Sequence, residues 1–204
     1  MSQIGPPHAS TLPQPTRRDR EILLGQNSHA IWLTGLSGAG KTTIARALEA
    51  RLLAMGRLCA VLDGDVVRTG LNFGLGFSEQ DRFENIRRIA EVARILVDAG
   101  VIALVAVISP GEAMRQNARR IIGPSDFVEV YVRCPIEVCR QRDTKGLYRK
   151  AQAGQVAQFT GVSAPYEPPE APQLVIDTDH ATVEQAASTV LQCVAGRLSA
   201  PSPG

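Results

Sequence analysis

Eight consecutive residues, Gly35-Leu36-Ser37-Gly38-Ala39-Gly40-Lys41-Thr42, match the pattern G-x-x-x-x-G-K-[ST] at every constrained position. Glycines let successive backbone N–H groups turn toward one anion, and a helix starting at the end of the stretch adds partial positive charge. In that arrangement Lys41 neutralises the β- and γ-phosphates of a nucleoside triphosphate, and the Thr42 hydroxyl completes a Mg²⁺ shell. Two acids, Asp63 and Asp65, flank Gly64. Carboxylates at a strand end beside bound phosphates hold a metal-bound water or take a proton from an attacking hydroxyl. The spacing leaves open which aspartate does which, and an Asp-Gly turn that merely closes a strand is the plainer alternative. Arg68, Arg82, Arg87 and Arg88 follow, with Arg82 and Asn85 three apart on one helix face. Arginine suits bidentate recognition of phosphate or sulfate oxygens. A Mg·ATP site beside a second anion site is the chemistry of a small-molecule kinase. The chain carries no protein-kinase signature, no recognition helix and no RNA motif.

The elements that must position these groups are legible as alternating strands and helices. Apolar runs at Ala30–Thr34, Leu58–Leu62, Val101–Ile108, Phe127–Val132 and Leu174–Ile176 predict five strands. The helix after the phosphate loop carries Ile44, Leu48 and Leu52 and should stop at Gly56. Ser78 with Asp81 predicts a capped start for a helix whose inner face is Ile86, Ile89, Ala93, Leu96 and Val97. This alternation predicts an α/β chain with the P-loop NTPase/kinase fold: a five-stranded parallel sheet with helices on both faces. Ligands then bind at the carboxyl ends of the strands, so the phosphate loop, Asp63-Gly64-Asp65 and Ser109-Pro110 should face one crevice. The third strand run ends Val107-Ile108-Ser109-Pro110, with no acid where P-loop enzymes normally keep one.

Residues 1–16 hold Pro6, Pro7, Pro13 and Pro15 and little apolar surface, which predicts a flexible tail. One domain is expected over 17–199, with a short helix at Arg17–Leu24, and a second short tail at 200–204. Within it, about 143–169 mixes glycines and prolines with Lys145, Lys150, Tyr148, Phe159 and Tyr166. That composition predicts a mobile lid closing over a phosphorylated aromatic ligand. A net charge of +2 over 204 residues is too mild for a nucleic-acid surface, and no apolar stretch is long enough to span a membrane. Cys59, Cys134, Cys139 and Cys193 show no zinc spacing, and buried thiols in a reducing cytoplasm are expected, Cys193 included.

From about Arg17 to Thr178 the chain resembles the adenylyl-sulfate kinase family, whose members make 3′-phosphoadenylyl sulfate from ATP and adenylyl sulfate. The blocks that carry the resemblance are Trp32 to Thr42, Asp63-Gly64-Asp65-Val66-Val67-Arg68, Gly70-Leu71-Asn72 and Leu75-Gly76-Phe77-Ser78. Asp81-Arg82, Glu84-Asn85-Ile86-Arg87-Arg88, Ile108-Ser109-Pro110, Arg142-Asp143, Lys145-Gly146-Leu147-Tyr148, Phe159-Thr160-Gly161 and Pro165-Tyr166-Glu167 complete it, in the family's order. The resemblance implies that Arg68, Arg82 and Asn85 hold adenylyl sulfate and that Phe77 and Phe159 sandwich its adenine. It implies that Asp63 organises metal and the 3′-hydroxyl, that Ile108 and Ser109 line the substrate crevice, and that Lys145 belongs to the lid. Family descriptions make the serine matching Ser109 a phosphorylated intermediate. In-line transfer needs only a nucleophile, metal and positive charge, so Ser109 is expected to hydrogen-bond instead. The resemblance also implies a homodimer, and leaves open an ATP sulfurylase as partner. The chain departs from the family pattern at Val66 (usually Asn), Gly74 (commonly Asp) and Thr144 (Pro), which bears on rate more than on reaction. Two rivals remain: another small-molecule P-loop kinase acting on a sugar or nucleoside, and a non-catalytic module that regulates a sulfate-activating partner.

Overall fold

The structure is a computed structural model that describes residues 14–143, 146–155 and 158–199. Five strands, β1 (Ala30–Thr34), β2 (Cys59–Asp63), β3 (Ile102–Ala106), β4 (Phe127–Arg133) and β5 (Leu174–Asp177), form a parallel sheet in the order β2-β3-β1-β4-β5. Parallel pairing needs crossovers, and among the described residues α2 (Lys41–Ala54), α3 (Gly64–Thr69), α4 (Glu79–Asp98), α5 (Glu112–Ile122), α6 (Ile136–Arg142) and α7 (Leu147–Gln152) lie in them, while α1 (Arg17–Leu24) precedes β1 and α8 (Val183–Leu198) follows β5.

The central strand shows why its sequence is apolar throughout. Ile31 and Leu33 pack under α2 and α8 against Ile44, Leu48, Val190 and Val194. Ala30 and Trp32 point the other way, into Ile86, Ile89, Ala93, Met114 and Ala118 of α4 and α5. Side chains alternate along a strand, so a sheet covered on both faces cannot alternate in polarity. Burying side chains the size of Ile31 or Leu33 stabilises the fold by about 1.5–3 kcal/mol each. The α/β fold with helices on both faces is therefore as expected.

The predicted caps hold. Ser78 accepts from Asp81 N at 3.1 Å at the start of α4, and Gly56 (φ 70°) follows the end of α2. Thr16 and Asp19 form a reciprocal capping box on α1, and Arg17 pairs with Asp126 at 2.6 Å. Thr16 therefore belongs to the domain, not to the tail. Residues 1–13 and 200–204 lie outside the described residues.

One expectation needs correction, that for Cys193, and two segments carry more order than their sequence alone indicates. Asp63-Gly64-Asp65 is more than a turn, because the Asp63 carboxylate caps a helix, α3, through Asp65 N and Val66 N. The 143–169 stretch is partly ordered secondary structure: the Asp143 carboxylate accepts from Tyr148 N (3.0 Å) and Arg149 N (3.2 Å) and so caps α7. Its far end is seated on the carboxyl end of β3, with Glu167 N donating to Pro110 O at 2.8 Å and Glu112 N to the Glu167 carboxylate at 2.6 Å. Cys193 is exposed, one position off the α8 stripe of Val190, Val194 and Leu198, whereas Cys59, Cys134 and Cys139 are buried.

Candidate active site

A cleft of about 620 Å³ opens at the carboxyl edge of the sheet. Its floor is the loop between β1 and α2. Gly35 has φ 152°, and a Cβ there would lie 2.3 Å from Val132 O, so only glycine lets the loop pass β4 so closely. Gly40, at φ 98°, turns the chain into α2. Three loop carbonyls are taken up by side chains from elsewhere. Tyr148 Oη donates to Ser37 O (2.9 Å), Arg142 Nη1 reaches Gly38 O (3.5 Å), and Thr178 Oγ1 donates to Ala39 O (2.9 Å). With those carbonyls engaged on the protein side, Ser37, Gly38 and Gly40 line the cleft and can turn their backbone N–H groups to an anion, while Ala39 N donates within the loop to Leu36 O at 3.2 Å. Burial, with Cys139 nearby, pushes the Tyr148 phenol well above its usual range, so it stays a donor.

Lys41 and Thr42 open α2. Lys41 Nζ donates to Gly35 O (2.9 Å) and Leu36 O (2.7 Å), and so lies along the loop. The Thr42 hydroxyl donates to Asp63 Oδ2 at 2.6 Å, while Asp63 Oδ1 accepts from Asp65 N at 2.8 Å. Asp63 is thus buried behind Thr42, and the exposed Asp65 lines the cleft. Magnesium accepts one or two carboxylates with hydroxyl and water oxygens around substrate phosphates, so Thr42 with Asp63 and Asp65 fits that ion. Among the described residues no cluster of three or more His, Cys, Asp or Glu side chains is arranged to hold a metal unaided.

The opposite wall carries a pair of arginines, Arg68 and Arg82. The Arg68 guanidinium lies over the Phe77 ring, 4.5 Å from its centroid, and donates to Gly76 O at 3.0 Å. Arg82 Nε donates to Phe77 O at 2.9 Å, and its other nitrogens bond Thr160 Oγ1 and Gln158 O. Arg82 thereby bridges α4 to the segment that carries Phe159. Burial lowers the pKa of both guanidiniums, and for Arg82 the charge of Arg68 adds to the effect. An anion placed between them would relieve that crowding. Phe77 is 52% exposed at the mouth, whereas Phe159 is 8% exposed and meets Tyr148 edge-on with centroids 5.0 Å apart.

Ser109 closes the inner end. It is a non-glycine residue at positive φ (41°), a conformation that costs roughly 1–2 kcal/mol and needs holding. Its hydroxyl accepts from Trp32 Nε1 (3.1 Å) and donates to Thr34 Oγ1 (2.8 Å). Thr34 donates onward to Ile108 O (2.6 Å) and meets Tyr166 Oη (3.0 Å). Arg115 Nη1 holds the Ser109 carbonyl at 2.8 Å. With a donor and an acceptor already engaged and 1% of its surface exposed, Ser109 fits a hydrogen-bonding role.

The cleft gathers Ser37, Gly38, Ala39, Gly40, Lys41 and Thr42 with Asp65, Arg68, Phe77 and Arg82, and also Asn85, Ile108, Ser109 and Phe159. Gly35, Leu36 and Asp63 do not line it. Gly35 sits below the loop, Leu36 packs into the core, and Asp63 acts through Thr42. Lys145 lies outside the described residues. Sequence reasoning did not single out Arg142, Thr178 or the Tyr148 hydroxyl as groups that shape the loop. Thr178 follows β5, so applying the strand-end rule to all five strands would have found it.

A profile of the family described as adenylylsulphate kinase matches residues 27–177. An adenylyl-sulfate kinase from Phocaeicola vulgatus is 54% identical over 179 residues, 88% of each chain. The solved Mycobacterium tuberculosis APS kinase CysC, in complex with AMPPNP and APS, superposes with a TM-score of 0.80 at 42% identity, covering 83% of this chain and 98% of that one. A hexameric APS kinase from Thiobacillus denitrificans matches at 35% identity and a TM-score of 0.63, over 87% of this chain and 30% of its own. With three quarters of its length inside that profile and more than half its aligned residues shared with a curated member, the chain belongs to the adenylylsulphate kinase family.

Proposed function

We propose that the chain transfers the γ-phosphoryl group of ATP to the 3′-hydroxyl of adenylyl sulfate, giving 3′-phosphoadenylyl sulfate and ADP. The observation that carries this reading is the single cleft that holds both a phosphate loop and a facing pair of arginines flanked by Phe77 and Phe159. The loop amides from Ser37 to Thr42 and Lys41 grip the triphosphate. Arg68, Arg82 and Asn85 hold the phosphosulfate of the acceptor. Phe77 and Phe159 clasp its adenine, since a purine stacks well on aromatic faces. Ile108 and Ser109 form the inner wall against the ribose. Thr42, Asp63 and Asp65 would hold Mg²⁺, which supplies charge neutralisation on the phosphates when bound. Asp63 fixes the Thr42 hydroxyl and stands closest in chemistry to a group that orients the attacking hydroxyl. Fixed positive charge aimed at the moving phosphoryl group is the largest catalytic contribution expected of such a site.

Closure of the 143–169 segment as a lid, with Lys145 brought toward the phosphates, completes the proposal and would limit ATP hydrolysis by water. The tails at either end are proposed to lie outside the catalytic unit. A second copy of the chain is the proposed partner, by analogy with the family, and an ATP sulfurylase is a further candidate. Among the described residues no helix is long and apolar enough to cross a membrane. With free cysteines at Cys59, Cys134, Cys139 and Cys193, the cytoplasm is the proposed location.

Incubation with Mg·ATP and adenylyl sulfate, followed by mass analysis of the nucleotides, tests the reading. The expected product is adenylyl sulfate heavier by one phosphoryl group, formed with one ADP per turnover. Rapid ADP release with a sugar or nucleoside, and none with adenylyl sulfate, would replace the substrate. ATP binding without transfer to any acceptor would leave a regulatory module.

A further inference from the structure

Asn72, which ends the Gly70-Leu71-Asn72 block, does not line the cleft, yet it is 1% exposed and its side chain reaches α4. Its Nδ2 donates both to the backbone carbonyl of Asn85 (3.3 Å) and to Asn85 Oδ1 (2.9 Å). The backbone of the same turn is pinned as well, with Asn72 N donating to Val67 O at 2.9 Å and Leu75 N to Asn72 O at 3.2 Å. Arg88 Nη1 approaches Leu71 O at 3.4 Å, so this turn rests on α4 at two points.

The orientation of both amides follows from that contact. A backbone carbonyl can only accept, so the Asn72 atom facing Asn85 O is the NH₂ group and not the oxygen. The Asn85 side-chain atom that shares this donor must then be Oδ1. Asn72 Oδ1 is buried without a hydrogen-bond partner among the described residues, so nothing at that end competes to turn the amide round. Leaving a buried acceptor unpaired is unfavourable by about 1–3 kcal/mol. That Asn72 keeps this geometry means the contact with Asn85 decides its orientation. With Oδ1 of Asn85 turned inward, the polar end that Asn85 can offer to the cleft is Nδ2, a pure donor.

We infer that Asn72 is a positioning residue that fixes the Asn85 amide with its NH₂ group toward the cleft, so that the site presents donors only to an anionic acceptor substrate. The inference rests on the proposed role of Asn85 in binding adenylyl sulfate. Without Asn72 the Asn85 amide is free to turn, and half its orientations would aim an acceptor oxygen at the phosphosulfate. Arg68 and Arg82 would still supply charge, so the loss falls on acceptor affinity and not on ATP.

The test is a double-mutant cycle with Asn72→Ala, Asn85→Ala and the pair, reading KM for each substrate and kcat. A hydrogen bond to a charged group predicts that each single change raises KM for adenylyl sulfate about tenfold while KM for ATP stays within about twofold. In the Asn85→Ala background, Asn72→Ala should add less than about twofold, because no amide remains to orient. If Asn72→Ala raises KM equally in both backgrounds, or moves ATP as much as adenylyl sulfate, Asn72 is merely structural and the inference fails. If Asn85→Ala leaves KM for adenylyl sulfate unchanged, the role of Asn85 itself fails, and this inference with it. Asn72→Ser, which keeps a donor in less volume, should restore part of the affinity lost in Asn72→Ala, and it serves the same cycle if Asn72→Ala does not fold. Equal KM for Asn72→Ser and Asn72→Ala would count against a donor role.

Discussion

The two walls of the cleft are built from different material. The triphosphate wall is main chain: one continuous loop between β1 and α2, with carbonyls of Ser37, Gly38 and Ala39 engaged from behind by Tyr148, Arg142 and Thr178. The acceptor wall is side chain: Arg68 from α3, Phe77 before α4, Arg82 and Asn85 within it, and Phe159 far along the chain. A loop of amides recognises phosphate wherever phosphate occurs, and so confers chemistry without choosing an acceptor. Side chains from separate segments choose the acceptor, but only while those segments are docked together. Here Arg82 makes the joint, through Thr160 and Gln158.

That contrast is broken most severely at Lys41. Lys41→Ala removes the side-chain charge that lies along the loop, on Gly35 O and Leu36 O. Loss of a single preorganised electrostatic group costs about 10²–10³ in kcat, so turnover should fall by at least that factor. ADP release in steady state measures it, and near-normal kcat would mean that the loop amides suffice. Next comes Arg82→Ala, which removes the charge proposed to hold the acceptor together with the joint to Thr160. We expect kcat/KM for adenylyl sulfate to drop by about 10- to 100-fold, while ATP binding by titration changes less than about threefold. Equal losses for both substrates would show that the two walls do not divide the work.

The same contrast decides what could be seen in the sequence. The triphosphate wall was legible because a tight loop that faces an anion must spend glycines at fixed spacing, and Gly35 against Val132 O shows how little room there is. The five strands were legible because a sheet covered on both faces needs unbroken apolar runs, as in Ala30–Leu33. Arg68, Arg82 and Asn85 were nameable from type, helical spacing and resemblance. What holds them was not, because each supporting contact joins residues far apart. Tyr148 and Ser37 are 111 positions apart, and Thr178 and Ala39 are 139. No local pattern encodes such pairs. The start of α3 was missed for a different reason: Asp63 is a strand end, a helix cap and the Thr42 partner at once, and a two-residue Asp-Gly pattern reads as a turn.

A subtler break lies behind the loop. Tyr148→Phe keeps the ring that packs edge-on against Phe159 and removes only the hydroxyl on Ser37 O. The loop carbonyl then loses a partner, at about 0.5–1.5 kcal/mol. If the hydroxyl stabilises the binding geometry of the loop, KM for ATP should rise by about two- to tenfold, with KM for adenylyl sulfate unchanged. A change confined to adenylyl sulfate would assign Tyr148 to the acceptor wall instead.

The mildest change should be Ser109→Ala, at the seam between the walls. Ser109 links Trp32 to Thr34, and through Thr34 to Ile108 and Tyr166, so its hydroxyl is committed at both its donor and its acceptor side. A hydroxyl in that state has its proton committed to Thr34 and no base beside it to take it up, and the chemistry asks for no covalent relay through it. Alanine leaves the Trp32 N–H without its partner and retains the positive φ, so stability should fall by about 1–3 kcal/mol. Trp32 is the single tryptophan of the chain, and its emission should report the lost contact. Activity, however, should stay within about tenfold of the parent, because both walls keep their ligands. Rapid quenching during turnover, with mass analysis of the intact protein, separates this from a covalent route. A phosphorylated Ser109 that forms and decays at the catalytic rate would overturn it and would make the seam, not the two walls, the centre of the reaction.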